Sequence, residues 1–337
     1  MRVLKKYKPF LKYLLAVIVL LSLYFTCCYL LRQKDGFDNM SGEKDCTFVS
    51  SRGILFSCDK YPKNPISSSS SIGDIDLSTI QDGETLYIQG SAIKEFSQKL
   101  DQIPNRFILV SGDCDESIPN DVFTDMEFRN FIDSDKIIHW YTQNCVGNHP
   151  KLSAIPIGLD YHTRSTPGTV SERWGHITTP KEQETEIQSL INVSKPFYDR
   201  TIKAYANFQF NMSEEYTQDR VDAKNKLDIV CVSYEPNHTK TRLESFQRQM
   251  EYAFVISPHG RGLDCHRTWE ALVLGCIPIV KSSTNDPLYN ELPVLVVNDW
   301  SDVKQELLID TIQKYKGRDF KYDKLRLKYW IDIIRSR

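Results

Sequence analysis

YAFVISPHGRGLDCHRTWEALVLGCIPIV, residues 252–280, is the stretch on which the reading of the fold turns. Residues 253–256 form a short apolar run of the kind that fills a buried parallel strand. Ser257, Pro258, His259, Gly260, Arg261 and Gly262 break that run. Pro258 has no amide hydrogen to give a sheet ladder, and two glycines admit backbone angles that other residues resist. Asp264 suits the N-cap of a helix that runs to about Leu274. Gly275 suits the position just past that helix, and residues 276–280 restart an apolar strand. The segment therefore reads strand, loop, helix, strand.

On the helix, Arg267 and Glu270 are three apart and share a face with Leu263. Trp269, Leu272, Val273 and Cys276 lie mostly on the opposite side and can bury. A helix N-terminus with two arginines, set at the C-terminal edge of a parallel sheet, is where open α/β folds bind ligands. The exposed amides, the helix dipole, Arg261 and Arg267 all favour an anion there, above all a phosphate. Glu270 offers a carboxylate suited to the paired hydroxyls of a ribose.

Working outward, strands and helices keep alternating, which implies βαβ units and parallel sheets. On the C-terminal side, strands are predicted at 202–208, 228–232 and 294–297, with helices at 239–251, 302–315 and 322–334. On the N-terminal side, strands are predicted at 85–88, 106–111, 136–141 and 152–157, with helices at 91–103, 128–132 and 180–194. Residues 46–59 show two short strand-like runs around Ser51-Arg52-Gly53, and the Pro/Ser-rich residues 62–71 read as a surface loop. The fold class is thus α/β in two halves, residues 45–197 and 198–337, with a boundary near 192–201.

The length, 337 residues, suits one large or two ordinary domains. A hydrophobic share of 41% and a formal net charge of −2 exclude a disordered chain and bulk electrostatic binding of nucleic acid. The N-terminus departs from this texture. Arg2, Lys5, Lys6, Lys8 and Lys12 form a cytosolic tail, residues 1–12, ahead of an uncharged run at 13–31 long enough to span a bilayer. Residues 32–44 form a stem. The arrangement predicts a single-pass type II membrane protein with its body on the lumenal or outer side. Of the nine cysteines, Cys27 and Cys28 lie in the span. Cys46–Cys58 and Cys114–Cys145 are candidate disulfides, and Cys231 and Cys276 read as buried thiols. Sequons occur at Asn39, Asn192, Asn211 and Asn237.

Competing motifs fail. The third glycine of a dinucleotide fingerprint would fall on Cys265, no P-loop or G-x-S-x-G is present, and no C-x-x-C pair points to zinc. The D-x-D triplets at Asp74/Asp76, Asp113/Asp115 and Asp133/Asp135 are about as frequent as chance supplies in a chain of this composition, roughly two. Asp113 alone follows a good strand, and so can face a cleft. His259 precedes the glycine loop and is a candidate ligand. His266 has the weaker claim of the two histidines. Arg242 and Lys240, at the start of the preceding helix, can add phosphate contacts.

Residues 254–280 resemble the nucleotide-sugar-binding segment of exostosin-type glycosyltransferases, family 47 and its relatives. Their pattern is an apolar strand, a Pro-x-Gly loop, Asp, Arg, Glu-Ala-Leu and Gly-Cys-Ile-Pro-Val. The run from Gly262 to Leu272 is most similar to the exostosin-like ribitol-phosphate xylosyltransferases, and the clear likeness covers about residues 233–300. The resemblance implies a GT-B fold of two facing Rossmann-like domains, with the donor, a UDP-sugar, in the C-terminal one. It implies a glycan or glycoprotein acceptor in the cleft, a Golgi or ER lumenal catalytic domain, and no bound metal for catalysis. By position, Arg261 and Arg267 would hold the diphosphate and Glu270 the ribose, in a donor site of His259, Gly260, Arg261, Gly262, Asp264, Arg267, Glu270 and Arg242. If the enzyme inverts, the catalytic base would come from the N-terminal half. Asp160 is the first candidate, with Asp113 and His162 behind it. The alternative expectation is a non-catalytic member that binds a glycan or an active partner.

Overall fold

The structure is a computed structural model that describes residues 24, 41–166, 174–209, 216–235 and 241–337. The expected membrane span at 13–31, the tail before it, Lys240 and the sequons at Asn39, Asn211 and Asn237 lie outside the described residues, Tyr24 of the span apart. Among the described residues no helix is long and apolar enough to cross a membrane.

Two parallel sheets carry the chain. The first joins β1 (Glu84–Gln89), β2 (Phe107–Gly112), β3 (Ile137–Thr142) and β4 (Leu152–Ala154) in that order. Every residue of β2 is buried, as an inner parallel strand covered on both faces requires. The second sheet uses β5 (Thr201–Ala206), β6 (Val232–Tyr234), β7 (Tyr252–Ile256), β8 (Ile277–Lys281) and β9 (Leu295–Val297). Its spatial order, β6-β5-β7-β8-β9, is that of a doubly wound sheet whose strand order reverses between β5 and β7. That reversal opens a crevice at the C-terminal ends of those two strands.

The helices in chain order are α1 (Ser51–Ser57), α2 (Ile93–Ser97), α3 (Asp125–Ile132), α4 (Pro180–Asn192), α5 (Thr217–Lys226), α6 (Arg242–Gln249), α7 (His266–Val273), α8 (Gln305–Tyr315) and α9 (Leu327–Arg335), with single turns between. Reciprocal caps start three of them: Thr124 with Glu127, Thr179 with Glu182, and Thr241 with Glu244. Each pair satisfies backbone amides that a helix start leaves unbonded. At the end of α7, Gly275 takes φ +73°. Its amide reaches Leu272 O and the Cys276 amide reaches Ala271 O, the double bond of a Schellman stop. The expected role of Gly275 is therefore met.

Other expectations change. Residues 46–59 hold α1 in place of two strand-like runs, because Ser50 caps the Gly53 amide and buries Ile54, Leu55 and Phe56 against the interior. The helix predicted at 91–103 breaks into α2 and flanking turns, and that at 322–334 begins as a separate turn before α9. The strand expected at 228–232 starts at Val232 instead. Cys46, Cys58, Cys114 and Cys145 are free thiols, so neither candidate disulfide forms.

Hydrophobic packing explains how the halves stay together. One cluster fills the first sheet and another the second. A third joins Ile54, Leu55, Tyr141 and Leu159 to Trp269, Leu272, Trp330 and Ile334. The last segment of the chain returns to the first half. Val49 N bonds Leu325 O, Leu327 N bonds Thr47 O, Tyr141 Oη donates to Ile333 O at 3.2 Å, and Arg335 pairs with Asp59 at 2.9 Å.

Candidate functional site

The C-terminal ends of strands from both sheets open onto one cleft of about 340 Å³. From the first half come Asp115 after β2, and Ile157 and Asp160 after β4; Trp174 adds an aromatic wall. Asn207 after β5, the loop 260–265 after β7, and Arg267 and Glu270 of α7 face them. The cleft thus lies at the reversal of strand order, where physical reasoning places ligands in such sheets. Its size is that of a small-molecule site.

The glycine loop is held from several directions. The His259 ring bonds Leu263 O through Nδ1 at 2.8 Å, and its amide donates to Asp219 Oδ2 at 3.0 Å. Asp219 in turn accepts from Trp300 Nε1 at 2.7 Å. Arg220 Nε donates to His259 O at 2.8 Å. From the first half, Asn144 Oδ1 accepts from the Asp264 amide at 2.9 Å. Asn144 sits so close that a Cβ on Gly262 would lie 2.7 Å from its Nδ2. Only glycine allows that approach.

Of the three arginines that line the cleft, two come from helices. Arg220 leaves α5 and Arg267 leaves the first turn of α7. Arg267 makes no hydrogen bond or ion pair among the described residues. Burial, and then the like charge of Arg220, pushes its guanidinium down from its ordinary value to about 10, with Glu270 offsetting part. A second unmet demand lies on α6. Ser245 Oγ and Gln249 Nε2 are buried, line the same cleft, and have no hydrogen-bond partner among the described residues. Unpartnered buried polar atoms cost free energy unless a ligand or water meets them.

Glu270 accepts from Arg242 Nη2 at 2.7 Å, and Arg242 Nη1 donates to Gln183 Oε1 at 2.8 Å. Arg242 is only 2% exposed, while the Glu270 side chain is 15% exposed and keeps an edge on the cleft. Arg242 therefore fixes Glu270 from behind.

Across the cleft, a smaller space of about 110 Å³ is lined by Ser51, Ser67, Asp113 and His162, and it shares Asp115, Ile157 and His266 with the larger one. His162 Nδ1 lies 3.3 Å from Asp160 Oδ1. Burial opposes the Asp160 charge, yet His162, His266 and Arg242 hold its carboxyl well below the usual range. Burial lowers His162, with Asp160 opposing. Asp113 takes Ser67 Oγ at 2.7 Å and stands 3.4 Å from Arg52. His266 Nδ1 donates to Gly158 O at 2.8 Å.

Of the residues expected in the donor site, Gly260, Arg261, Gly262, Arg267 and Glu270 line the cleft together. Asp264 is on its wall, but both its oxygens accept from Trp269 Nε1 at 3.0 Å, and the Ile157 and Cys265 amides take the rest. Its work is to join the halves, and Cys265, not Asp264, occupies the N-cap position of α7. His259 closes the loop and Arg242 braces Glu270. Asp160 lines the larger space, Asp113 the smaller one. The sequence reading missed Arg220, Asn207, Ser245 and Gln249. The switch between β5 and β7 would have pointed to Asn207; the others arrive by packing alone.

No protein-family model matches the sequence. No curated protein shows significant similarity to it. Among solved structures the chain is similar to an α1,3-fucosyltransferase at 11% identity and TM-score 0.34, covering 78% of this chain and 94% of that one. It is similar to the same kind of enzyme with GDP-fucose at 10% identity and TM-score 0.34, covering 80% and 96%. With GDP the values are 11% and 0.34, covering 84% and 95%. A likeness of this size carries no argument about the chemistry of this chain.

Proposed function

We propose that the chain is a glycosyltransferase that moves a sugar from a nucleotide-sugar donor to a glycan or glycoprotein acceptor. The observation that carries this reading is the pair Arg220 and Arg267: two neighbouring cations, one without an ion-pair partner, at a helix N-terminus in the strand-switch crevice. Two like cations side by side in a cleft ask for a dianionic ligand, and a nucleoside diphosphate supplies one. Glu270, braced by Arg242, meets a ribose, and Ser245 and Gln249 supply further polar contacts to the nucleoside. Arg261, exposed on the loop, adds charge at the entrance.

In this reading the two sheets are the halves of a GT-B fold, the donor is a UDP-sugar, and the family is exostosin-like. The uncharged run at 13–31 anchors a type II protein with its catalytic body in the Golgi or ER lumen. The leaving diphosphate is stabilised by arginines and helix amides. Thermal shift in phosphate-free buffer, with UDP, GDP and a panel of their sugars, tests the reading. A rise in Tm with UDP or a UDP-sugar is the expected result. No shift with any of them would sink it.

A further inference from the structure

We propose that His162, oriented by Asp160, is the base that takes the proton of the acceptor hydroxyl, and that the smaller space beside it receives that hydroxyl. The inference rests on the glycosyltransferase reading above. Three observations bring it to His162.

The first is orientation. Asp160 is fixed by the Thr163 amide at 3.0 Å and faces His162 Nδ1 at 3.3 Å. A carboxylate there keeps the proton on Nδ1 and leaves the lone pair on Nε2, the division of labour seen wherever a carboxylate steers a catalytic imidazole. The ring makes no hydrogen bond among the described residues, so the nearby carboxylate is what orients it.

The second is place. His162 lines the smaller space, Asp160 lines the larger one, and Asp115, Ile157 and His266 line both. A hydroxyl seated beside His162 therefore adjoins a sugar held in the donor cleft.

The third is elimination among the neighbours. Asp113 is tied to Ser67 and Arg52. Asp160 is held so strongly ionised that it is a weak base, but it stabilises an imidazolium. His266 gives its Nδ1 proton to a neutral carbonyl, Gly158 O, and so has no carboxylate behind its ring. The groups that face His162 are Asp160, Arg52, Asp113 and His266, and burial keeps its ring neutral, able to accept a proton.

The step balances as a single displacement. The acceptor O–H proton moves to His162 Nε2 while the acceptor oxygen bonds the anomeric carbon. The bond from that carbon to the diphosphate oxygen breaks, and its electron pair leaves with the diphosphate toward Arg220 and Arg267. Asp160 balances the imidazolium, and the anomeric centre inverts.

The test uses UDP- and GDP-sugars with water as the acceptor, read as release of the nucleoside diphosphate. His162→Gln is expected to lower kcat by about 100-fold or more. Its affinity for UDP or GDP by calorimetry should stay as in the wild type. The acid limb of the pH–rate profile should vanish in His162→Gln and move to lower pH in Asp160→Asn, since loss of the carboxylate lowers the imidazole pKa. Added imidazole should restore part of the rate of His162→Ala. An acid limb that survives in His162→Gln, or that disappears in His266→Gln instead, overturns the assignment while the donor reading stands. A wild type that binds neither nucleotide overturns both.

Discussion

Replacing Arg267 with methionine removes a cation that sits beside Arg220 without an ion-pair partner, while keeping most of the apolar stem. The structure sets the size of the effect. Burial and Arg220 push the guanidinium well below its ordinary value, to about 10. At about 1.36 kcal/mol for each tenfold in proton affinity, the charge destabilises the fold by roughly 3 kcal/mol. The folded-state value lies below the ordinary one, so the penalty is complete below about pH 10 and fades above it. The side chain is half-buried, and solvent reduces the figure to about 1–2 kcal/mol. Arg267→Met should therefore be more stable than the wild type by that amount at pH 7. It should also bind UDP or GDP about 10- to 100-fold more weakly, the scale of losing one or two charged hydrogen bonds. Urea denaturation in buffer free of phosphate and sulfate, with and without nucleotide, reads both numbers. A variant less stable than the wild type without ligand, or one stabilised by nucleotide as much as the wild type, would refute the reasoning.

Other substitutions probe the supports of the site. Glu270→Gln leaves the 2%-exposed Arg242 without its carboxylate, at about 3–5 kcal/mol, and should raise the donor KM about tenfold. The double variant with Arg242→Met should recover part of the stability in urea; simple additivity would show that the pair is not coupled. Gly262→Ala drives a methyl to 2.7 Å from Asn144 Nδ2 and 3.0 Å from Asp115 O. It should cost about 1–3 kcal/mol and most of the activity, and an unchanged Tm and rate would contradict the close approach. Glu43, fully buried, has its carboxyl pushed by burial from 4.5 to about 8, against a hydrogen bond from Ser50. A raised acid favours the fold below its ordinary pKa and loses that advantage as pH climbs through 8. Glu43→Gln should thus flatten the fall in stability between pH 5 and pH 8.5, and identical slopes would count against it.

The inner strands β2 and β7 were legible because parallel strands covered on two faces need unbroken apolar runs, and residues 107–110 and 253–256 supply them. The stop of α7 was legible in Gly275, whose left-handed backbone few other residues tolerate. Residues 46–59 misled because alternating small and apolar residues fit either period, and a single hydroxyl, Ser50, decides for helix. Arg220 stayed hidden for a different reason. Its helix, TQDRVDAKNK, has no apolar stripe and is held by polar contacts of Asp219 and Arg220 to Trp300 and His259, dozens of residues away. His259 shows the reverse error. A histidine beside a glycine loop suggests a ligand, but a nearby carbonyl, Leu263 O, claims its ring first.

The return of α9 to the first half has a mechanical meaning. The polypeptide crosses between the halves once near residues 193–200 and again near residues 317–326, so two tethers span one joint. Two tethers define an axis. The bonds of Leu325, Leu327 and Arg335 to the first half lie at the second of these tethers. Translation of one half across the other would shear the packing of Trp330 and Ile334. Cutting the chain after about residue 320 would leave one tether, near residues 193–200, and would take Trp330 and Ile334 out of the packing that joins the halves.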